Sequence, residues 1–137
     1  MAADYHFNVT KSQSQAASHI FFPFGAQDWS ASNSQTAHAL EFYTNDTKST
    51  SYTDSTCSFT TIGNKLDSSN NPLVLGIWYI SNDYGHAVAC YGYTQDDNQL
   101  YWIDPKLGSY NCWSYSDYFD GIGARTDGMA FFQDGQW

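Results

Sequence analysis

Hydrophobic positions change their rhythm along this 137-residue chain, and the change divides it into a mixed first half and a strand-rich second half. In residues 1–24 the clusters "YHFNV" and "HIFFPF" predict short strands, and the polar "TKSQSQAAS" between them predicts a loop. From Ser30 the spacing becomes helical: "SASNSQTAHALEFYT" places Ala37, Leu40, Glu41 and Tyr43 at helical intervals, with Ser30 as the cap and no Gly or Pro to interrupt. The Ser/Thr-rich "NDTKSTSYTDSTCS" has little to bury and reads as a connector. "FTTIGNKLDSSNNP" then predicts a short helix, capped by a Thr and stopped by Asn-Asn-Pro.

The strongest pattern follows. "LVLGIWYI" is a continuous β-branched and aromatic run, which predicts a buried strand. The loop "SNDYG", the strand "HAVACYGY", the turn "TQDDN" and the strand "QLYWID" complete an antiparallel meander over residues 73–104. Beyond Pro105, "SYSDYF" predicts a helical turn and "GMAFFQD" a closing strand. With no internal repeat and this length, the expectation is one α+β domain over residues 1–137.

Composition narrows the function classes. Five Lys/Arg against fourteen Asp/Glu give a net charge of -9, which repels phosphate backbones and argues against nucleic acid and anionic membranes as partners. No apolar run approaches the length of a membrane span. Abundant Tyr, Trp, Ser, Thr and Asn suit a β-rich extracellular or cell-surface domain. The start "MAADYHFNVT" lacks the charged and apolar regions of a signal peptide, so export requires a targeting segment outside this sequence. Cys57, Cys90 and Cys112 show no zinc-ligand spacing; Cys90 lies in an apolar strand pattern as a core thiol, and a Cys57–Cys112 disulfide stays open. His6, His19 and His38 have no metal-ligand spacing either, and no metal or cofactor is expected.

Within the meander, His86 opens one strand after Gly85, and Asp104 ends the next before Pro105. The two lie symmetrically about the turn, so antiparallel pairing brings them within a residue or two of opposite positions. A neutral imidazole held by a carboxylate is the base and orienter that activate a nucleophile. The alternative is a strand-start His and an Asp-Pro that merely ends a strand. The aromatics Trp113, Tyr115, Tyr118 and Phe119 fit either a small core or a substrate groove.

The ordered elements Pro72, Leu73–Ile80, Gly85-His86-Ala87-Val88, Gly92-Tyr93 and Tyr101-Trp102-Ile103-Asp104-Pro105 resemble the second half of bacterial papain-like cysteine peptidases. That group includes the staphopains and the bacteriocin-leader-processing peptidases. The resemblance covers about a third of the chain, and "DWSASNSQTAHAL" extends it, with Trp29 at the aromatic position and Ser30 where the family has its nucleophilic Cys. It implies a papain-like fold of minimal size, with an N-terminal helix packed on an antiparallel sheet. It also implies peptide-bond hydrolysis by a Cys-His-Asp triad, with His86 as general base and acid and Asp104 as its orienting partner. Gln27 is assigned to the oxyanion hole beside the backbone N–H of residue 30, although it stands closer to Ser30 than the family's Gln does to its Cys. Trp29, Tyr84 and Gly85 are assigned to substrate binding. The distance from Ser30 to His86 is also short for the family.

A helix N-terminus lowers a thiol pKa and stabilises an oxyanion, but a serine hydroxyl gains far less. The expected activity with Ser30 is therefore very low or absent, whether Ser30 is an engineered replacement or marks a natural pseudoenzyme. The expected partner is a peptide or protein substrate and the expected state a monomer. The alternatives are a non-catalytic extracellular module binding a peptide or glycan, and a true Ser/His/Asp hydrolase.

Overall fold

Ser12 and Gln15 satisfy each other's backbone N–H groups, at 3.2 and 2.7 Å, and this reciprocal capping box starts helix α1, Gln13–Ile20. The helix lies where the sequence predicted a loop followed by a strand. Among its described side chains Ala16 alone is buried, so its apolar stripe is too narrow to stand out from a polar segment. In this computed structural model, residues 11–25, 31–45, 47–116, 119 and 123–133 are described; "YHFNV" lies outside them.

Helix α2, Asn33–Tyr43, forms as its spacing predicts, but its cap is Ser32 and not Ser30. Ser32 Oγ accepts from Gln35 N–H at 3.2 Å and Gln35 Oε1 accepts from Ser32 N–H at 3.0 Å. Ser30 has Asn33 three residues on, and that side chain is used elsewhere. The His19 ring of α1 stacks on Phe42 of α2 with centroids 4.5 Å apart, and the Lys11 ammonium sits 4.0 Å above the Phe42 ring while donating to the Phe42 carbonyl.

The predicted connector contains a short strand, β1, Thr50–Thr53. Helix α3, Phe59–Ser69, is capped by Ser58 rather than a Thr, and ends where Asn70 takes a left-handed conformation ahead of Asn71-Pro72. Strands β2, Leu73–Tyr79, β3, Tyr84–Thr94, and β4, Gln99–Asp104, form the predicted meander. β3 starts two residues before His86, because Tyr84 and Gly85 pair with Tyr79 and Trp78 instead of remaining in the loop. Strand β5, Ser109–Ser114, was hidden by its Ser, Asn and Cys content; Tyr115, Ser116 and Phe119 beyond it are helical. The closing strand β6, Ala124–Phe132, is longer than predicted.

The six strands lie in the order β1-β6-β2-β3-β4-β5, every neighbouring pair antiparallel, so the last strand inserts beside β2. Period-two alternation gives each face its own helix. On one face Val74, Ala130 and Phe132 meet Ala37 and Leu40 of α2. On the other, Leu73, Leu75 and Val88, with Leu100 and Trp102, meet Ile62 and Leu66 of α3. The segment before α3 is tied down by a buried exchange: Cys57 N–H donates to Thr126 Oγ1 at 2.7 Å, and that hydroxyl donates back to the Cys57 carbonyl at 2.9 Å. The result is α+β, with an antiparallel sheet between helices.

Candidate active site

His86 and Asp104 meet. His86 Nε2 lies 3.0 Å from Asp104 Oδ1, with the side chains only 11% and 16% exposed. The carboxylate accepts only, so neutral His86 carries its proton on Nε2 and presents a lone pair at Nδ1. Asp104 Oδ1 also accepts the backbone N–H of Lys106 at 2.8 Å, which fixes the carboxylate at the last residue of its strand.

Strand register explains the meeting. Ala89 pairs with Ile103, and continuing that register by one step sets Asp104 level with Val88, two residues from His86 and on the same face. Pairing between β3 and β4 begins only at Ala89, so β3 runs past the end of β4 and His86 sits beside an open strand edge. The sequence expectation of an approach within two residues is met, although a bulge between Cys90 and Gly92 shifts the register further along.

A cleft of about 750 Å³ opens at this end of the sheet. Its walls include His86, Pro105 and Lys106 on one side and Ala31, Ser32, Asn33 and Thr36 on the other. Gly76, Gly85 and Ala87 also line it, and none raises a side chain larger than a methyl. Helix α2 covers one face of the sheet and His86 belongs to the row of the other, beside its partner Ile77; the cleft takes in both around the open strand edge.

Asn33 holds the start of α2 at this place. Its Nδ2 donates to the Asp127 carbonyl of β6 at 2.7 Å and to Asp54 Oδ1 at 3.0 Å. A Cβ on Gly76 would lie 3.3 Å from Asn33 Oδ1 and 3.1 Å from the Asp127 carbonyl oxygen, so the glycine admits the close approach. Gly76 pairs with Ala87, next to His86, and the same contacts that seat the helix are thus one residue from the imidazole. Sequence reasoning passed over Asn33, Asp54, Asp127 and Lys106 as cleft residues, because segments 21 to 94 positions apart bring them together.

Of the residues assigned from sequence, His86, Asp104, Tyr84 and Gly85 are described. Tyr84 and Gly85 line the cleft; Tyr84 is stacked near Tyr79 at 6.0 Å, and Gly85 faces the Trp78 ring. Ser30, Trp29 and Gln27 lie outside the described residues, immediately before Ala31. Two described hydroxyls in the cleft are engaged otherwise: Ser32 caps α2, and Thr36 Oγ1 donates to the Ser32 carbonyl at 3.0 Å. The aromatic group divides, with Phe119 buried in the core and Tyr115 packed on it, Trp113 half exposed, and Tyr118 outside the described residues.

All three cysteines are free thiols, so the Cys57–Cys112 disulfide left open by the sequence is not formed. Cys57 is buried beside Thr126, while Cys112 lies exposed on β5. Burial pushes the Cys90 thiol up to about 12 and raises that of Cys57, which makes neither a nucleophile. We expect iodoacetamide at pH 8 to label one thiol, Cys112, in the native protein and three in denaturant. Intact mass spectrometry checks this, and rapid native labelling of Cys57 or Cys90 would contradict the buried placement.

Among the described residues no three His, Cys, Asp or Glu side chains converge as a metal site, and no helix is long and apolar enough to cross a membrane. No family model matches the sequence, and no curated protein matches it significantly.

Proposed function

We propose that this chain is a papain-like cysteine peptidase domain of bacterial, extracellular type in which Ser30 occupies the position of the nucleophilic Cys. The observation that carries the reading is the His86 Nε2 to Asp104 Oδ1 contact of 3.0 Å, with His86 lining a cleft that also takes in the first turn of α2. In that arrangement a thiol at position 30 gives its proton to His86 Nδ1 and the sulfur attacks a peptide carbonyl carbon. Backbone N–H groups at the helix start, with Gln27, receive the developing oxyanion. The imidazolium returns its proton to the leaving amine. Water, deprotonated by His86, then hydrolyses the thioester; the imidazolium returns that proton to the departing sulfur, which restores the thiol and the neutral imidazole, and the other proton leaves with the carboxylic acid product. Serine lacks the stable ion pair on which the first step depends, so the chain with Ser30 holds the peptide without efficient turnover.

Labelling with an epoxysuccinyl cysteine-peptidase inhibitor tests the reading. Ser30→Cys should acquire one additional adduct by intact mass, absent from the parent and from Ser30→Cys/His86→Ala. Cys112 is common to all three and serves as the internal reference for ordinary alkylation. A Ser30→Cys protein that labels no faster than the parent would overturn the triad and favour a domain that binds without turnover. Reaction of the parent with a phosphonofluoridate would instead identify a serine hydrolase.

A further inference from the structure

Helix α2 packs on β1, β6 and Val74 of β2. Val74 beneath it continues directly across β3 and β4 through its partners Ala89 and Ile103 to Tyr110 on β5, so these residues share one face. Three tyrosines stand on the outer part of that face. Tyr91 is 40% and Tyr110 75% exposed, and the Tyr91 ring lies 6.3 Å from Tyr101 and 6.2 Å from Tyr110. Tyr91 occupies the bulge between Cys90 and Gly92, a device that re-aims a strand side chain.

We propose that this face is a binding surface for a proline-rich polypeptide in the polyproline II conformation. Three observations select that occupant. The rings are inclined at 47° and 80° to one another, so they form ridges and slots rather than the flat platform on which a sugar ring stacks. Aromatic rings set at angles to one another receive the pyrrolidine rings of a preformed polyproline helix, whose backbone needs no sheet partner. The Gln99 amide oxygen, an acceptor that a sugar hydroxyl would use, is already taken by Cys112 Sγ at 3.2 Å and Tyr101 Oη at 3.5 Å.

Charge supports the same choice. In β3, β4 and β5 Asp104 alone carries a fixed charge, and its row belongs to the opposite face. A neutral patch on a chain of net charge -9 suits an uncharged ligand and repels an anionic one. The exposed phenols of Tyr91 and Tyr110 can donate to the solvated carbonyls of such a peptide. Ala87, next to Ala89 on this face, lines the cleft, so a bound chain leads toward His86. That last point rests on the peptidase reading; the binding itself does not.

The test uses the parent protein with Ser30, where turnover does not interfere. Fluorescein-labelled decaproline should bind by anisotropy, and a Gly/Ser decapeptide should not. Tyr91→Ala/Tyr110→Ala, checked for folding by circular dichroism, should weaken binding by at least about tenfold. Tyr52→Ala, an exposed tyrosine on β1, should change it by less than about twofold. Absence of decaproline binding at millimolar concentration overturns the proposal, as does binding that survives the double variant. Tyrosine-dependent binding of chitohexaose in place of decaproline overturns it in favour of a glycan surface. Each result stands apart from the labelling of Ser30→Cys, so the two readings fail separately.

Discussion

Gly128→Ala should destabilise the fold by about 3 kcal/mol or more, and its thermal midpoint should fall by about 10–20 °C. Gly128 has φ +96, a conformation an L side chain adopts only under strain. Its added Cβ would lie 2.0 Å from the Thr53 carbonyl oxygen and 2.5 Å from Asn33 Nδ2. The first neighbour is backbone of β1, whose strand is paired to β6 at this very level, so it cannot rotate away. Backbone strain of about 1–2 kcal/mol adds to the overpacking. Gly108→Ala is the matched comparison: φ is +62, but nothing lies within 4 Å, so only the strain remains. A Gly128→Ala midpoint no lower than that of Gly108→Ala, by circular dichroism, would contradict this account. The glycine also bears on the cleft, because its neighbour Asn33 seats α2 there.

The meander was legible because its information is local. β2, β3 and β4 are long apolar runs separated by short polar turns, and the hairpin geometry alone brings Asp104 close to His86. Strands β1 and β5 were not, for a different reason in each case. "TSYT" is four residues whose strand character comes from pairing with β6, more than seventy positions away. "SYNCWS" owes its place to β4, and polar residues occupy much of it. Nor could spacing reveal that β6 joins the sheet beside β2, since that choice depends on long-range pairing. At the helix start two serines competed, and Ser32 won because Gln35 completes its capping box while Asn33, the third residue after Ser30, bonds to Asp127 and Asp54.

The cleft carries the same division. Its titratable pair could be read from one hairpin, whereas its opposite wall required the packing of α2 on Gly76. Small residues at 76, 85 and 87 look like weak strand positions in a sequence. In the structure they are the space through which a helix start and an imidazole, assigned to opposite faces of the sheet, share one opening. This gives local departures from good strand chemistry a structural meaning at the cleft.

In the Ser30→Cys background, Asp104→Ala should slow epoxysuccinyl inactivation by about 10²–10⁴-fold, and Asp104→Asn by an intermediate amount. Asp104 Oδ1 accepts both His86 Nε2–H and the Lys106 backbone N–H, so alanine removes the acceptor that holds the ring and its tautomer together. Asparagine keeps an acceptor oxygen but loses the charge opposite a forming imidazolium. The order Asp, Asn, Ala therefore separates orientation from charge, a distinction that a merely structural carboxylate would not produce. The site lies at the end of β4, and circular dichroism should show all three proteins folded. Measured second-order inactivation constants that agree within about threefold across the series would leave His86 without an orienting partner in the reaction. A fall with alanine that asparagine fully restores would make Asp104 a holder of the imidazole alone, with no share in stabilising its charged form.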